Sequence, residues 1–483
     1  MSYRRYFRSI LSLGLIASIV SCGDTSMTGP ESGGSQALTK PVSHTVAVAL
    51  ELLDEAGAPV VGAEVTISRS IAGATNSGSW TGTTDVSGQT EISIVSTPGR
   101  FRQGAVGYYT VRAEHNGNEI GRWSSIPING GGENVLTCRI GGRATTHPRG
   151  PVIRVMSRNL FLGADINRVL LAEDPTQIPL LVAQTWGVVQ QTNFVERAAA
   201  IADEIEATRP HLVGLQEVSL FRMQDPGDLL VGGESLPTEV VLDFLDILLD
   251  ALEARGLSYS AAAVSEGIDI ELPLAKSATE FADIRLTDRE VILVRSGVQV
   301  SDIVEAQFQA AVPITVGGVS TSIPRAYASV KATLAGRDIR FITTHLETGA
   351  AEPIQAFQAA ELVGIVAADA LPVIVVGDFN SDAYGTTTAT YAETLIPGGL
   401  LDVWSVTNPN TPGLTGSQQE DLLGTSTLNR RIDLVFVRSS DNLVPLNAVV
   451  VGDEESDRTP SGLWPSDHAG VTATVRLPST RPF

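Results

Sequence analysis

Positive charge is scarce in this chain of 483 residues: 33 Lys and Arg face 54 Asp and Glu, a formal balance of −21. A protein that coats nucleic acid carries a basic footprint, so that class is excluded. An enzyme that meets phosphate through a metal ion is not. Cysteine is scarcer still, with only Cys22 and Cys138. That excludes a disulfide-held scaffold and argues against a structural zinc site built on thiolates. The apolar run from Ile10 to Val20 spans only 11 residues, too short to cross a bilayer as a helix. Gly (46) and Pro (25) occur at ordinary frequencies, which excludes collagen-like and wholly disordered chains. At roughly 100–200 residues per domain, the length allows two to four domains.

Residues 1–21 have the order of a secretory signal. Arg4, Arg5 and Arg8 precede the apolar run, which ends in Ser21-Cys22. Ile19-Val20-Ser21-Cys22 resembles a bacterial lipobox. That resemblance implies lipidation of Cys22, and export to the outer face of a bacterial membrane or to the cell surface. Residues 22–40, rich in Gly, Ser, Thr and Pro, have the composition of a flexible tether. The membrane is then met through the lipid anchor alone.

Residues 41–140 alternate apolar and polar side chains in short runs, such as Thr45 to Leu50 and Ala63 to Ser68. Turn signals separate them at Asp54 to Gly57, Asn76 to Gly78, Asp85 to Gly88 and Asn116 to Asn118. This spacing predicts an all-β sandwich. Gly57 to Thr66, Thr84 to Gly88 and Gly107 to Ala113 resemble bacterial immunoglobulin-like and carboxypeptidase-regulatory-like repeats. Such sandwiches host many roles. Cys138 reads as a small buried apolar residue, and residues 141–150 as a linker.

From 151 to 483 strand-like runs alternate with helical periods, the pattern of an α/β domain. Helices are expected over Phe194 to Thr208, Val240 to Ala254 with Thr238 as cap, and Pro353 to Ala368. Strands are expected at Val152 to Met156, His211 to Leu215, Glu290 to Arg295, Ala328 to Leu334, Arg340 to His345, Val373 to Gly377, Arg431 to Val437 and Gly470 to Val475. Ser265 to Asp283 reads as an insertion with at most a short edge strand, because Pro273 interrupts it.

Polar residues that a core does not need sit at these strand ends: Asn159, Glu217, His345, Asp378 with Asn380, Asp433, and Asp467-His468. Asp and Asn are poor strand formers and mark turns or sites. One such residue is a turn signal; six strands carrying them in one domain point to a shared site.

The motifs Met156-Ser157-Arg158-Asn159-Leu160, Leu215-Gln216-Glu217-Val218, Thr344-His345-Leu346, Gly377-Asp378-Phe379-Asn380, Arg431-Ile432-Asp433 and Ser466-Asp467-His468 resemble, in this order, those of the endonuclease/exonuclease/phosphatase family. That family includes deoxyribonuclease I. The resemblance covers about 151–478 and implies a four-layer α/β sandwich with the site at one end. It departs from apurinic endonucleases at Phe161 and His345, where they carry Asp and Tyr, and so points away from abasic-site repair.

A phosphate ester is anionic and resists nucleophiles, and a hard divalent cation relieves both difficulties. Mg²⁺ prefers carboxylate, phosphate and water oxygens; Mn²⁺ and Ca²⁺ share that preference. Glu217 is the best single ligand. Asn159, supported by the resemblance, and Asp467, directly or through water, are further ligands. A water nucleophile needs a base near neutral pH, which histidine supplies. The resemblance implies His468 as base with Asp433 as its orienter, Asp378 and Asn380 on water and phosphate, and His345 on a phosphoryl or leaving oxygen. Arg289 is a candidate phosphate clamp.

The expected function is an exported, monomeric, metal-dependent phosphoesterase. Its substrate is a nucleic acid, a phospholipid headgroup or a sugar phosphate. The alternative is a surface adhesion protein that binds through its β-sandwich and carries an inactive scaffold.

Overall fold

Runs rich in Val, Ile and Thr build this protein as a β-dominated fold, with helices only where the apolar period changes to 3.6. The computed structural model describes residues 44–477, apart from 56–57, 70–77, 86–88, 97–106, 129–133, 143, 149–150, 171, 173 and 317–318. The signal, the Cys22 motif and the tether, together residues 1–40, lie outside the described residues. No helix among the described residues is long and apolar enough to cross a membrane.

The chain divides into two compact units. The smaller takes the described residues up to Ile153, with Leu443–Asn447 and those from Thr474. It contains two four-stranded sheets. One orders Gln89–Ser96, His44–Leu53, Asn134–Arg139 and Thr145–Pro148; the other orders Gly78–Thr83, Glu64–Arg69, Gly107–His115 and Asn118–Ile128. Alternate residues of both sheets, among them Leu50, Val65, Val111 and Leu136, fill one core. Cys138 lies in that core without a disulfide, and burial pushes its thiol up to about 12.

The larger unit takes Arg154–Asn442 and Ala448–Ala473. Its two main sheets have eight and six strands. In the first, Leu212–Gln216 lies between the parallel strand Val152–Asn159 and the antiparallel strand Phe281–Arg295. In the second, Arg337–His345 runs parallel to Val373–Asp378, which pairs antiparallel with Asp433–Arg438.

Strand alternation sets the layers. Val213 and Leu215 point one way, into a core with Val182, Ala198, Ile201 and Phe244 of three helices, Ile178–Gln191, Phe194–Thr208 and Phe244–Glu253. Gly214 points the other way. A Cβ there would meet Val376 Cγ2 and lie 2.5 Å from Thr343 Oγ1, both on the second sheet. Val373 and Val375 face outward in turn, onto Ala359 and Leu362 of the helix Glu352–Ala368. The order is therefore helix, sheet, sheet, helix.

Four segments depart from the sequence expectation. Thr145–Pro148, within the residues read as a linker, is a strand paired with Asn134–Arg139. Glu239–Asp243 is a strand, so the helix starts later, at Phe244, and its cap is Asp243, not Thr238. The Asp243 carboxylate accepts the Leu245 N–H at 2.9 Å. Ser265 to Asp283 is no minor insertion: Tyr259–Ala275 forms a 17-residue strand against Phe281–Arg295. Pro273 is tolerated because this strand pairs on one side only. The helix Ile178–Gln191 went unread.

Gly214→Ala forces a methyl into the closed contact between the sheets. It is expected to destabilise the protein by roughly 1–3 kcal/mol, measured as a lower urea midpoint at unchanged m-value.

Candidate active site

Register brings the polar strand ends together. His345 pairs with Asp378, and Asp378 with Asp433, across three adjacent strands of the second sheet. Asn159 pairs with Gln216 in the first sheet, and Glu217 follows directly. The two sheets thus deliver their side chains to one place. Glu217 (φ 56), Phe161 (φ 60) and Asn380 (φ 50) leave their strands in the left-handed region. Such backbone costs of order 1–3 kcal/mol per residue and collects at sites.

The side chains form one connected cluster. Asn159 Nδ2 donates to Glu217 Oε1 at 2.9 Å and to Asp378 Oδ2 at 3.1 Å. Glu217 Oε2 accepts the Leu162 N–H at 2.6 Å. Asp378 Oδ1 accepts the Asn380 N–H at 2.9 Å. Asn380 Nδ2 donates to the Leu346 carbonyl at 3.1 Å and sits 3.0 Å from His345 Nε2. His468 Nδ1 lies 2.8 Å from Asp433 Oδ2, and its Nε2 lies 3.8 Å from Asp378 Oδ2.

Three of the expected residues have protein partners. Asn159 Oδ1 accepts the Phe161 N–H at 2.8 Å, and its amide orients two carboxylates. Arg289 is no phosphate clamp. Its Nε donates to the Val218 carbonyl at 2.7 Å and its Nη2 to Asp243 at 2.6 Å, so it is consumed in bracing the loop after Glu217. Asp467 stands apart from the groups whose ligand atoms lie within 4.8 Å of one another; Ser466 Oγ donates to its Oδ1 at 3.4 Å.

Alternation explains what sequence reading missed. Asp288 and Glu290 flank Arg289 and turn to the opposite face, where they converge with His345. The period of two through Asp288-Arg289-Glu290 was the available signal. Arg325 also joins the cluster, donating to both Glu347 oxygens at 3.1 and 3.2 Å and lying 3.2 Å from His345 Nδ1.

The two histidines stand in opposite electrostatic settings. Burial, then Arg325 and His468, hold His345 well below the ordinary imidazole value. Burial pulls His468 the same way, but Asp433, Asp467 and Asp378 outweigh it and hold it well above. Burial pushes Asp288 up to about 7, with Glu217 adding to the rise. Burial and Asp288 push Glu290 further still.

The donor set fits a hard divalent cation. Glu217, His345 and Asp378 offer atoms within 4.8 Å of one another, as do Asp288, Glu290 and His345. Asp288 Oδ1, Glu290 Oε2 and Asp433 Oδ1 are buried without a hydrogen-bond partner. A cation would answer that unmet charge, since oxygen donors suit Mg²⁺, Mn²⁺ and Ca²⁺.

The Endonuclease/Exonuclease/phosphatase family matches residues 189–468. The match contains Glu217, His345, Asp378, Asp433 and His468 and leaves Asn159 outside. No curated relative matches the chain. An endonuclease/exonuclease/phosphatase family protein from Leptotrichia buccalis is 15% identical over 67% of this chain and 100% of its own, with a TM-score of 0.42. A family protein from Bacteroides thetaiotaomicron is 16% identical over 69% of this chain and 98% of its own, at 0.43. A mannosyl-6-phosphatase from the same organism is 16% identical over 67% and 100%, at 0.40.

Arg158 supports the site from beneath. It is fully buried, pairs with Glu204 at 2.7 Å and donates to the His468 carbonyl. Arg158→Met leaves Glu204 without its cation and is expected to cost about 3–5 kcal/mol in urea unfolding. Adding Glu204→Leu should recover most of that stability, while any activity that depends on the placement of His468 stays low.

Proposed function

The chain belongs to the endonuclease/exonuclease/phosphatase family, and from that premise we propose that it is a metal-dependent phosphoesterase that cleaves a phosphate ester by attack of water. The observation that carries this reading is the His468–Asp433 pair, at 2.8 Å, facing Asp378 beside Glu217 and His345. When bound, the divalent cation supplies charge neutralisation and polarises a phosphoryl oxygen. Glu217 would hold it, with Asp378 joining as a ligand beyond its expected role on water and phosphate, and Asn159 would keep both carboxylates turned toward it. Mg²⁺ is the first choice, since hard oxygen donors dominate the set.

His468 takes the proton of the attacking water at Nε2, while Asp433 fixes the ring through Nδ1. Asn380 Nδ2 holds the His345 ring through Nε2, and the neutral His345 has one N–H to give a phosphoryl or leaving oxygen. A neutral imidazole suits that task because it gives a hydrogen bond without competing for the metal's charge. The acidic balance of −21 disfavours long nucleic acids. A phosphodiester of modest size, such as a headgroup or sugar ester, fits better, with a monoester as the second choice.

Export and lipid anchoring through Cys22 complete the proposal. They rest on the charged start, the short apolar run and the lipobox-like Ile19 to Cys22. On this reading the enzyme works as a monomer outside the membrane, and the N-terminal sandwich is an immunoglobulin-like module between anchor and catalyst.

The test compares wild type with His468→Ala on bis-p-nitrophenyl phosphate, p-nitrophenyl phosphate, plasmid DNA and sphingomyelin, with Mg²⁺, Mn²⁺, Ca²⁺ or chelator. Metal-dependent turnover is expected, falling about 10²–10⁴-fold in the variant. Folded wild-type protein that binds no divalent cation and turns over no ester sinks the proposal. The pH profile adds a sign. His468 must lose a proton to act, and its carboxylate neighbours hold that proton past the ordinary value of 6.5. At limiting metal kcat/KM should therefore still be rising above pH 6.5. The midpoint should move to lower pH as metal is raised, since added positive charge favours the neutral ring.

A further inference from the structure

A second group of carboxylates lies far from the catalytic cluster. Asp228, Glu271 and Asp283 offer oxygens within 4.8 Å of one another. Glu271 and Asp283 come from paired strands, where Glu271 opposes Arg285 and Pro273 opposes Asp283. Asp228 comes from the loop after the strand Leu220–Gln224. Glu290, in the catalytic cluster, is seven residues along the strand from Asp283, roughly 20 Å at the usual rise.

The chemistry of this group is unfinished. Asp228 Oδ1, Glu271 Oε1 and Asp283 Oδ1 are all buried, and none has a hydrogen-bond partner. Asp283 is only 1% exposed, so its unpartnered Oδ1 has no water to turn to. Its other oxygen is taken by the Asp228 and Leu229 N–H groups, at 2.6 and 2.9 Å. Cations nearby in sequence are spent elsewhere: Arg285 on Asp269 and Lys276 on Asp225. Glycines line the group closely. A Cβ at Gly227 would lie 2.7 Å from Asp283 Oδ1, and one at Gly233 would collide with the Asp228 carboxylate.

We propose that Asp228, Glu271 and Asp283 form a structural calcium site that fastens the loop around Asp225–Gly233 to the paired strands. The three donors lie within 4.8 Å of one another, near enough for one ion with bonds of about 2.4 Å to draw them together. Three carboxylates, drawn from a loop and two strands, match its preference for oxygen ligands in flexible geometry, whereas Mg²⁺ demands a near-ideal octahedron. The ion's role is to hold, not to react. It ties the loop end of the Leu220–Gln224 strand, whose other end adjoins Glu217.

Calcium titration of the full chain tests this, with isothermal calorimetry and melting temperature as readouts. The comparison uses wild type, Asp378→Asn, Glu271→Gln and Asp283→Asn. Ca²⁺ should raise the melting temperature of wild type and of Asp378→Asn by roughly 2–4 °C or more. Glu271→Gln and Asp283→Asn should lose that increment. In chelator Glu271→Gln should melt no lower than wild type, because it removes a repelling charge and leaves the Asp283 contacts intact. Its turnover at saturating Mg²⁺ should be unchanged. An undiminished calcium increment in folded Glu271→Gln overturns the site. So does loss of the increment in Asp378→Asn, which would locate calcium binding in the catalytic cluster. A melting-temperature rise with Mg²⁺ equal to that with Ca²⁺ overturns the calcium assignment. All arms read binding or melting apart from catalysis, so failure of the phosphoesterase proposal leaves them interpretable.

Discussion

Carboxylates buried side by side on neighbouring strands are the constraint on which the larger unit turns. Asp288, Glu290, Asp378 and Asp433 are each at most 4% exposed. Carboxylates this close raise one another's proton affinity and resist burial. Nothing about a stable core calls for them there. Only backbone fixed from elsewhere can hold them, and register supplies that: His345, Asp378 and Asp433 stand side by side because three strands are hydrogen-bonded in that alignment. A shift of one residue would turn each side chain to the opposite face.

Buried arginines complete the frame, and they act on backbone as much as on charge. Arg197 donates to the carbonyls of Thr192, Leu160 and Pro465, at 2.7, 2.5 and 3.1 Å. It thereby joins the loop after Asn159 to the loop before Ser466, the two segments that present Asn159 and His468. Burial lowers its guanidinium to about 9, yet the planar fork satisfies several carbonyls at once, which a lysine would not. Arg158 does the same for the His468 carbonyl, with Glu204 as its counter-ion. These cations are therefore spent on placing the site, while Arg325 reaches into it.

What was legible in the sequence follows from which forces are local. The helix Phe194–Thr208 was readable to the residue because its apolar period is regular and Pro210 closes it. The site strands were readable because Asn, Asp and His interrupt β-branched runs. The long strand Tyr259–Ala275 was not, since Pro273 and scattered acids obscure a pattern that only pairing with Phe281–Arg295 makes sense of. Asp243 was hidden inside an apolar period that spans a strand and the start of a helix. At Asn159, which atom faces the carboxylates depends on a backbone N–H two residues on. Asp288 and Glu290 lacked any motif of their own.

The two histidines show why placement alone does not assign roles. Both are buried, and both lie within 4 Å of Asp378. Burial disfavours a charged imidazole at each. At His345 the nearby guanidinium of Arg325 adds to that effect, so the ring stays neutral and can only donate or accept a hydrogen bond. At His468 three carboxylates reverse it, and the ring keeps its proton until other positive charge arrives. On the proposed reading, a base held protonated by its carboxylate neighbours and freed by an incoming cation would link proton release to occupancy of the cluster. The asymmetry lies in the neighbours, Arg325 on one side and Asp433 with Asp467 on the other, and not in the histidines themselves.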